Sequence, residues 1–365
     1  MRPLKSLKIG KREVGPGHPA YIIAEVGSNF DGSLKRAKKL AKLAKEAGAD
    51  AYKIQNFTAS KIVSDKGFNS MEKISYHAKW KVSVFDMFKK SEFPPKWVRE
   101  LSDYCKSIGI DFFSSPYDRD AVDLLESVNV VAYKIGSGEI DNLDFLAYVA
   151  KTGKPIILGV GASTLEEVEA AIRTIRKNGN NKIVILQCVT NYPSPVADAN
   201  INAMPVIREA FNVLVGYSDH TIGKEGGGDD PLDGLTVPLG SIALGGVMIE
   251  KHFTDDRTLP GPDHHLAMES GAFASMVRSV RAMERALGDG KKRVMPSEKQ
   301  TVIIQRRGLY AAQPIAKGQK ITKSMITLLR PAIGLRPRDI DRILGKCAKK
   351  DISSGTALHQ NDVTR

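Results

Sequence analysis

Cysteine is scarce in this sequence. Cys105, Cys188 and Cys347 are an odd, scattered set among 365 residues, with no CxxC spacing. A disulfide framework and a cysteine-built zinc site are excluded, and free thiols in a reducing cytoplasm are the expectation. Long apolar runs are missing too, since none approaches the ~20 residues a membrane span requires. The opening stretch MRPLKSLKIGKREVG is basic but lacks the apolar core of a secretory signal, again pointing to a cytoplasmic protein. The first strand-to-helix turn, EVGSNFDGS, carries no GxGxxG, which argues against a doubly wound dinucleotide-binding sheet.

What is present is ordinary in amount and uneven in placement. Hydrophobic residues make up 42% and charged residues 26%, as in soluble globular proteins. The length suits one large domain with a small one. The net charge is +13, yet Lys291 to Arg365 holds 17 Lys or Arg against 5 Asp or Glu, a net +12, leaving +1 for residues 1–290. A near-neutral body therefore carries a basic tail. Nucleic-acid binding is one reading of that tail, but Tyr310 is its only aromatic residue. Solvated surface charge and an electropositive cover over an anionic substrate fit better.

Residues 1–290 alternate short apolar runs with helical patterns. Strands are expected at 20–27, 50–57, 109–116, 130–138, 154–161, 181–189, 212–219 and 246–253. Each run is rich in β-branched or aromatic residues, as in strands buried on both faces. Helices are expected at 33–49, 95–108, 118–128, 142–152, 163–179, 202–211, 231–244 and 271–287. Ser33 is placed to cap the first of them, and Ser163 with Glu166 has the spacing of a capping box. Eight such units predict a (β/α)8 TIM barrel over residues 1–287. Residues 288–305 read as a polar linker, and 306–365 as a small, mostly β domain with turns such as AKGQ and SSGT. The stretch 58–93 is too long for a simple connection and reads as an excursion over the barrel mouth.

In a barrel the polar residues at strand C-termini form the active site. Those ends supply Glu25, Lys53 with Gln55, Ser114 with Ser115, and Lys134 with Ser137 and Glu139. They also supply Gln187, Ser218 with His220, and Glu250 with His252. Lysine is rarely buried without an anionic partner, so Lys53 and Lys134 with nearby hydroxyls suggest a phosphate or carboxylate site. The competing reading is that Glu25 and Glu139 merely neutralise them. His220 and His252 end strands that neighbour each other about 4.8 Å apart, so both imidazoles can reach one metal. Two imidazoles leave a cation open to substrate oxygens, as a Lewis acid needs to be. Asp219 and Glu25 are candidate outer partners of that metal. His264 and His265, past an LPGPD turn, are weaker ligand candidates.

These motifs occur together in one family. The stretches IAEVGSNFDGSLKRAKKLAKLAKEAGADAYKIQ, AYKIGSGEI, GYSDHT and EKHFTDDRTLPGPDH resemble the sialic acid synthases. More broadly they resemble nonulosonic acid synthases, including the spore-coat polysaccharide type, and the tail resembles their SAF, or antifreeze-like, domain. The resemblance spans nearly the whole chain. It implies a (β/α)8 barrel that condenses phosphoenolpyruvate with an N-acetylated amino sugar aldehyde, N-acetylmannosamine-like, releasing phosphate and a nine-carbon α-keto acid. It implies a divalent metal, Mn2+ before Mg2+ or Co2+, and a domain-swapped homodimer in which each SAF domain caps the partner's barrel. Residue by residue, it implies metal binding by His220 and His252. Lys53, Lys134, Ser137 and Ser218 would bind phosphoenolpyruvate, Glu25 would lie beside a metal-bound water, and Gln55, Glu139, Tyr192 and Asp263 would line the sugar site. Arg330 would reach the partner's sugar pocket.

The chain departs from the sialic acid pattern at three positions. Gly159 stands where a serine is usual, Thr190 where an asparagine is expected, and Val82 where the lid carries an asparagine. The first two touch the phosphate region and the third the sugar, so they bear on the acceptor more than on the reaction. The lid is closer to the spore-coat type. The alternatives are another metal-dependent phosphoenolpyruvate condensation giving a 3-deoxy-2-ketoaldonate phosphate, a Schiff-base aldolase using Lys134, or a non-catalytic barrel with a nucleic-acid-binding tail.

Overall fold

Each of the eight apolar runs forms a parallel strand, and the eighth pairs back onto the first. The strands are β1 (Tyr21–Glu25), β2 (Ala51–Asn56), β3 (Asp111–Pro116), β4 (Tyr133–Ile135), β5 (Ile156–Gly159), β6 (Ile183–Cys188), β7 (Leu214–Asp219) and β8 (Met248–Thr254). Neighbours pair in sequence order, and β8 bonds both β7 and β1, so the sheet is a closed barrel. The computed structural model describes residues 4–71 and 82–364. The chain divides into two units, Met1–Gly288 and Asp289–Arg365.

Eight helices follow the strands: α1 (Leu34–Glu46), α2 (Val98–Ile108), α3 (Arg119–Ser127), α4 (Leu143–Ala150), α5 (Leu165–Lys177), α6 (Ala203–Phe211), α7 (Thr236–Ala243) and α8 (Ser270–Leu287). The Ser33 side chain caps α1 by accepting from Arg36 N, and Ala37, Leu40, Ala41 and Ala44 are its buried face. In α5 the capping box is formed by Thr164 and Glu167, one residue later than the spacing predicts. Ser163 cannot serve because its hydroxyl donates to Val160 O in the preceding turn. The helix expected from 231 starts only at Thr236. Asp230 accepts from Leu232 N, Thr236 N and the Thr236 hydroxyl, so 231–235 are held as a turn.

Two features were not expected. Residues Leu7–Ile9 and Arg12–Val14 form an antiparallel hairpin, with Ile9 and Val14 buried in the barrel's core cluster. Gly10 turns it at φ +55°, where a Cβ would lie 2.5 Å from an Asp111 oxygen. The segment 288–305 is not a plain linker either, because it contains a helix at Lys299–Gln305. Within the long β2–α2 connection, short helices occupy Ala59–Ile62, Asp65–Ser70 and Val84–Ser91. The rest of the expected excursion, 72–81, lies outside the described residues.

The second unit is built from β9 (Gly308–Ala311) and β10 (Ile326–Leu329), paired antiparallel. Isolated bridges such as Ile315 to Ile352 and Ala348 to Val363 extend the pairing. Its own small core holds Leu309, Ile315, Ile321, Ile343, Ile352 and Leu358.

Candidate active site

Strand alternation sets which polar residues meet inside the barrel. Residues 25, 53, 115, 134, 218, 250 and 252 come from six strands and line one cavity of ≈ 280 Å³ at the strands' C-terminal end. Its floor is ionic. Lys53 pairs with Glu25, lies 3.9 Å from Glu250 Oε2, and donates to Ser115 Oγ at 3.1 Å. Lys134 Nζ lies 3.6 Å from Glu250 Oε1, which also accepts from the Ser218 hydroxyl at 2.9 Å. Gln55 donates to Glu25 Oε1 at 2.7 Å, and Tyr117 to Gln55 Oε1 at 3.5 Å.

Burial opposes the charges on Lys53 and Glu250, and pairing outweighs it. It lowers the Lys53 ammonium, but Glu25 and Glu250 raise it to a net value above the ordinary lysine range. Burial likewise raises the Glu250 carboxyl, yet Lys134, Lys53 and the Ser218 hydroxyl hold it at about 2. The lysines are therefore matched by Glu25 and Glu250, not by Glu25 and Glu139. Glu139 lies outside the cavity wall and accepts from Asn142 at 3.1 Å. Glu250 stood among the strand ends with no role assigned. The signal was its spacing: two residues before His252 on one strand, it must share that residue's face.

His220 and His252 meet above the floor, their rings 5.5 Å apart, with Tyr192 against both at 4.3 and 6.0 Å. The pair fits a divalent cation on three counts. Burial, and then His252, push His220 down to about 3, so it is an unprotonated donor at neutral pH. Its Nδ1–H is taken by Val189 O at 2.7 Å, leaving the other nitrogen for a ligand. His252 Nδ1 is buried with no hydrogen-bond partner among the described residues. No three His, Cys, Asp or Glu cluster as ligands among the described residues, so the candidate ligands here number two.

Asp219 does not support these histidines. It faces out of the barrel, accepting from Lys251 at 2.6 Å and from Thr221 N and Oγ1 at 3.0 and 3.1 Å. His264 is not a ligand either, as both its nitrogens are engaged elsewhere. Ser114 points away, its hydroxyl held by Ile54 O and Asn56, and Gln187 turns to Ala199 O.

The remaining predicted residues distribute as follows. Ser137, Thr190, Tyr192 and Asp263 line the cavity. Ser137 accepts from Gly161 N at 2.9 Å beside Cys188 Sγ at 3.2 Å. Gly159 abuts this corner. A Cβ there would lie 3.0 Å from Ser137 Oγ and 3.1 Å from Lys134 Nζ, closer than ordinary contact, so a serine at this position would require those two side chains to shift. Val82 is exposed, and Arg330 is an exposed residue of the second unit. Phe57, Met87, Phe88 and Tyr117 form an apolar wall that the strand ends could not reveal, with Phe57 5.5 Å from Phe88 and 5.8 Å from Tyr117.

This floor and mouth stand on a barrel whose relatives are known. Residues 40–292 match the model of the NeuB family, and 306–364 that of the SAF domain. The chain belongs to the NeuB family. It is 38% identical to an N,N'-diacetyllegionaminic acid synthase of Campylobacter jejuni, over 93% of this chain and 98% of that protein. It is 36% identical to a pseudaminic acid synthase of Helicobacter pylori, over 95% and 98%. Among solved structures, an N-acetylneuraminic acid (sialic acid) synthetase of Leptospira borgpetersenii, in complex with citrate, matches at TM-score 0.71 and 28% identity. That match covers 83% of this chain and 97% of the other. In this NeuB-family barrel the ionic floor, the histidine pair and the apolar wall lie on one cavity.

The floor makes a direct prediction. Lys134→Ala is expected to weaken phosphoenolpyruvate binding roughly ten- to a hundred-fold, the loss of one charge-assisted contact of about 1.5–3 kcal/mol. Lys134 is the cleaner test because Glu250 keeps Lys53 and Ser218, whereas Lys53→Ala strips Glu25 of its ion pair as well. Titration calorimetry with phosphoenolpyruvate reads the change. Unaltered affinity in both variants would mean the lysines only balance their acids.

Proposed function

We propose that this chain condenses phosphoenolpyruvate with an N-acylated amino sugar aldehyde, giving a nonulosonic acid and phosphate. One observation carries the reading: two buried, paired lysines and three serine hydroxyls lie beneath two histidines in a cavity of a NeuB-family barrel. In the reaction, C3 of phosphoenolpyruvate attacks the aldehyde carbon, and the aldehyde oxygen becomes a hydroxyl by taking a proton. Water adds at C2, and the bond from C2 to the phosphate oxygen breaks, leaving an α-keto acid. Lys53 and Lys134, with Ser115, Ser137 and Ser218, hold the phosphate and carboxylate. Glu25, held by Gln55 and Lys53, takes the proton of the attacking water. His220 and His252 would hold a divalent cation, Mn2+ in preference to Mg2+ or Co2+, which would supply Lewis acidity toward the aldehyde oxygen.

The acceptor end favours a neutral sugar. Gln55, Thr190, Tyr192 and Asp263 offer polar contacts, while Phe57, Met87, Phe88 and Tyr117 offer surface to acyl or deoxy methyl groups. Among the described lining residues the only cations are Lys53 and Lys134, and both face carboxylates. A phosphorylated acceptor's dianion would find no uncommitted cation among these described lining residues. Phosphate release is the test, measured with N-acetylmannosamine, its 6-phosphate, and diacetamido-trideoxyhexoses. Turnover with a neutral sugar and none with the 6-phosphate is expected. The reverse order would overturn the assignment, and release with none of them would count against the reaction itself.

Arg330 belongs to the same reading through a second copy of the chain. Around it the second unit exposes Leu328, Leu329 and Ile333, with Ile303 and Ile304 on the neighbouring helix. Such a patch is more apolar than a free surface favours, and it suits docking on a partner's barrel mouth. Arg330→Ala should then impair the sugar step. When it is mixed with His220→Ala and the subunits exchange, activity should return. In the exchanged heterodimer the damaged tail covers the barrel lacking its histidine, so the other site is intact. No recovery after demonstrated exchange would mean the tail acts on its own barrel. No helix among the described residues is long and apolar enough to cross a membrane. With its free cysteines, that supports a cytoplasmic setting.

A further inference from the structure

His264, a candidate ligand by sequence, sits in a different network. It is wholly buried in the turn after β8, with Nδ1 2.8 Å from Thr254 Oγ1 and Nε2 3.0 Å from Asp31 Oδ1. The carboxylate can only accept, so Nε2 carries a proton that it donates to Asp31. In the neutral ring Nδ1 is then an acceptor, and the Thr254 hydroxyl proton faces both it at 2.8 Å and Asp256 O at 3.3 Å. A hydroxyl, an imidazole and a carboxylate in a chain suggest a nucleophile, but Thr254 is fully buried and no substrate atom can reach it.

What the chain does is join two loops. Asp31 lies in the β1–α1 loop in a left-handed conformation, φ +48°, between Gly27 at +53° and Gly32 at +64°. The Arg36 guanidinium holds it at 3.0 Å and also pairs with Asp255 of the loop after β8. One residue before His264, Asp263 Oδ2 accepts from Ser28 N at 2.9 Å and from Ser28 Oγ at 2.8 Å. The approach is close enough that a Cβ on Gly27 would stand 2.4 Å from that oxygen. Asp263 therefore reaches the cavity wall from a loop fastened on both sides of it.

We propose that His264 is a positioning residue for the acceptor sugar, clamping the loop so that Asp263 is held at the cavity before substrate arrives. A loop carboxylate free to move loses conformational entropy on binding, and one already fixed does not. The proposal rests on reading Asp263 as an acceptor contact, and the experiment separates the two.

Asp31→Ala removes the clamp from the half-exposed side, where folding is least at risk. Asp31→Asn keeps an oxygen for the Nε2–H. Hydrogen exchange of the 261–267 peptide should speed up in Asp31→Ala and stay slow in Asp31→Asn. With whichever neutral acceptor supports phosphate release, Asp31→Ala should raise the acceptor KM about tenfold, with the KM for phosphoenolpyruvate and the calorimetric affinity for Mn2+ each within about twofold. Asp31→Asn should return the acceptor KM to near the parent value. His264→Gln should behave as Asp31→Ala does. Asp263→Ala is the control. If it leaves the acceptor KM unchanged, the reading of Asp263 fails and the clamp with it. If it raises that KM while Asp31→Ala does not, the clamp alone is wrong. A parallel rise of both KM values in Asp31→Ala would mark the network as general scaffolding and overturn the proposal.

Discussion

His220→Ala and His252→Ala should each lose metal binding and turnover together, in a barrel that still folds. The expectation follows from how little else there is to hold a cation. No third His, Cys, Asp or Glu joins the pair as a ligand cluster among the described residues, so each variant leaves one imidazole. Losing an outer partner of a metal site typically costs about 10–100-fold in affinity, and losing half of the protein's own ligands should cost more. Neither ring belongs to the barrel's apolar core, since both line the cavity and pack against each other and Tyr192. Calorimetry with Mn2+ and elemental analysis measure the binding, and phosphate release measures the turnover. Chelation of the parent protein should reproduce the loss, and added Mn2+ should reverse it in the parent alone. Full turnover in exhaustively metal-free protein would sink the assignment.

The barrel was legible because its period is written twice. Apolar runs mark the strands and i, i+3, i+4 patterns mark the helices, and both repeat eight times in order. The N-terminal hairpin escaped because LKIGKREV has only two buried side chains, Ile9 and Val14, too few to make a pattern. Most of the site followed from strand ends, since a residue's parity on a strand fixes the side it faces. The same parity, applied consistently, separates Glu250 from Lys251 and Ser218 from Asp219. What it cannot give is the partner of a residue facing outward, or the contribution of a long connection. Asp219 was read as an outer partner of the histidines for that reason, although it faces Lys251. Half of the apolar wall, Met87 and Phe88, comes from Val84–Ser91, whose place depends on tertiary packing that no local period encodes.

The Lys251–Asp219 pair gives the largest expected effect on stability. Both side chains have 0% exposure, and the two residues face each other across β7 and β8, on the outside of the barrel, beside Thr221 and Gly234. Lys251 also donates to Thr221 O, while Thr221 N and Oγ1 donate to Asp219, so the pair fixes the chain just past β7. Removing one partner of a buried pair leaves an uncompensated charge and costs about 3–5 kcal/mol. Lys251→Met and Asp219→Asn should each lose that much, lowering the melting temperature by roughly 6–10 °C at ~2 °C per kcal/mol for a large domain. The double variant should be more stable than either single one. It buries no charge, and its asparagine oxygen can still accept from Thr221 N. The asparagine NH2 can donate to the Thr221 hydroxyl in place of the oxygen that accepted from it, and Thr221 O lacks its former donor, a cost of about 1–3 kcal/mol. That departure from additivity is the signature of direct coupling. Losses that simply add would mean the two residues act independently, and losses under about 1 kcal/mol would mean the pair is idle. Each member is also the chain neighbour of a histidine, Asp219 of His220 and Lys251 of His252, so Mn2+ affinity of the double variant divides stability from function. Parental affinity there makes the pair a staple of the strands alone. A weakened affinity in a folded double variant would show that the charges outside the barrel also set the spacing of the imidazoles within it.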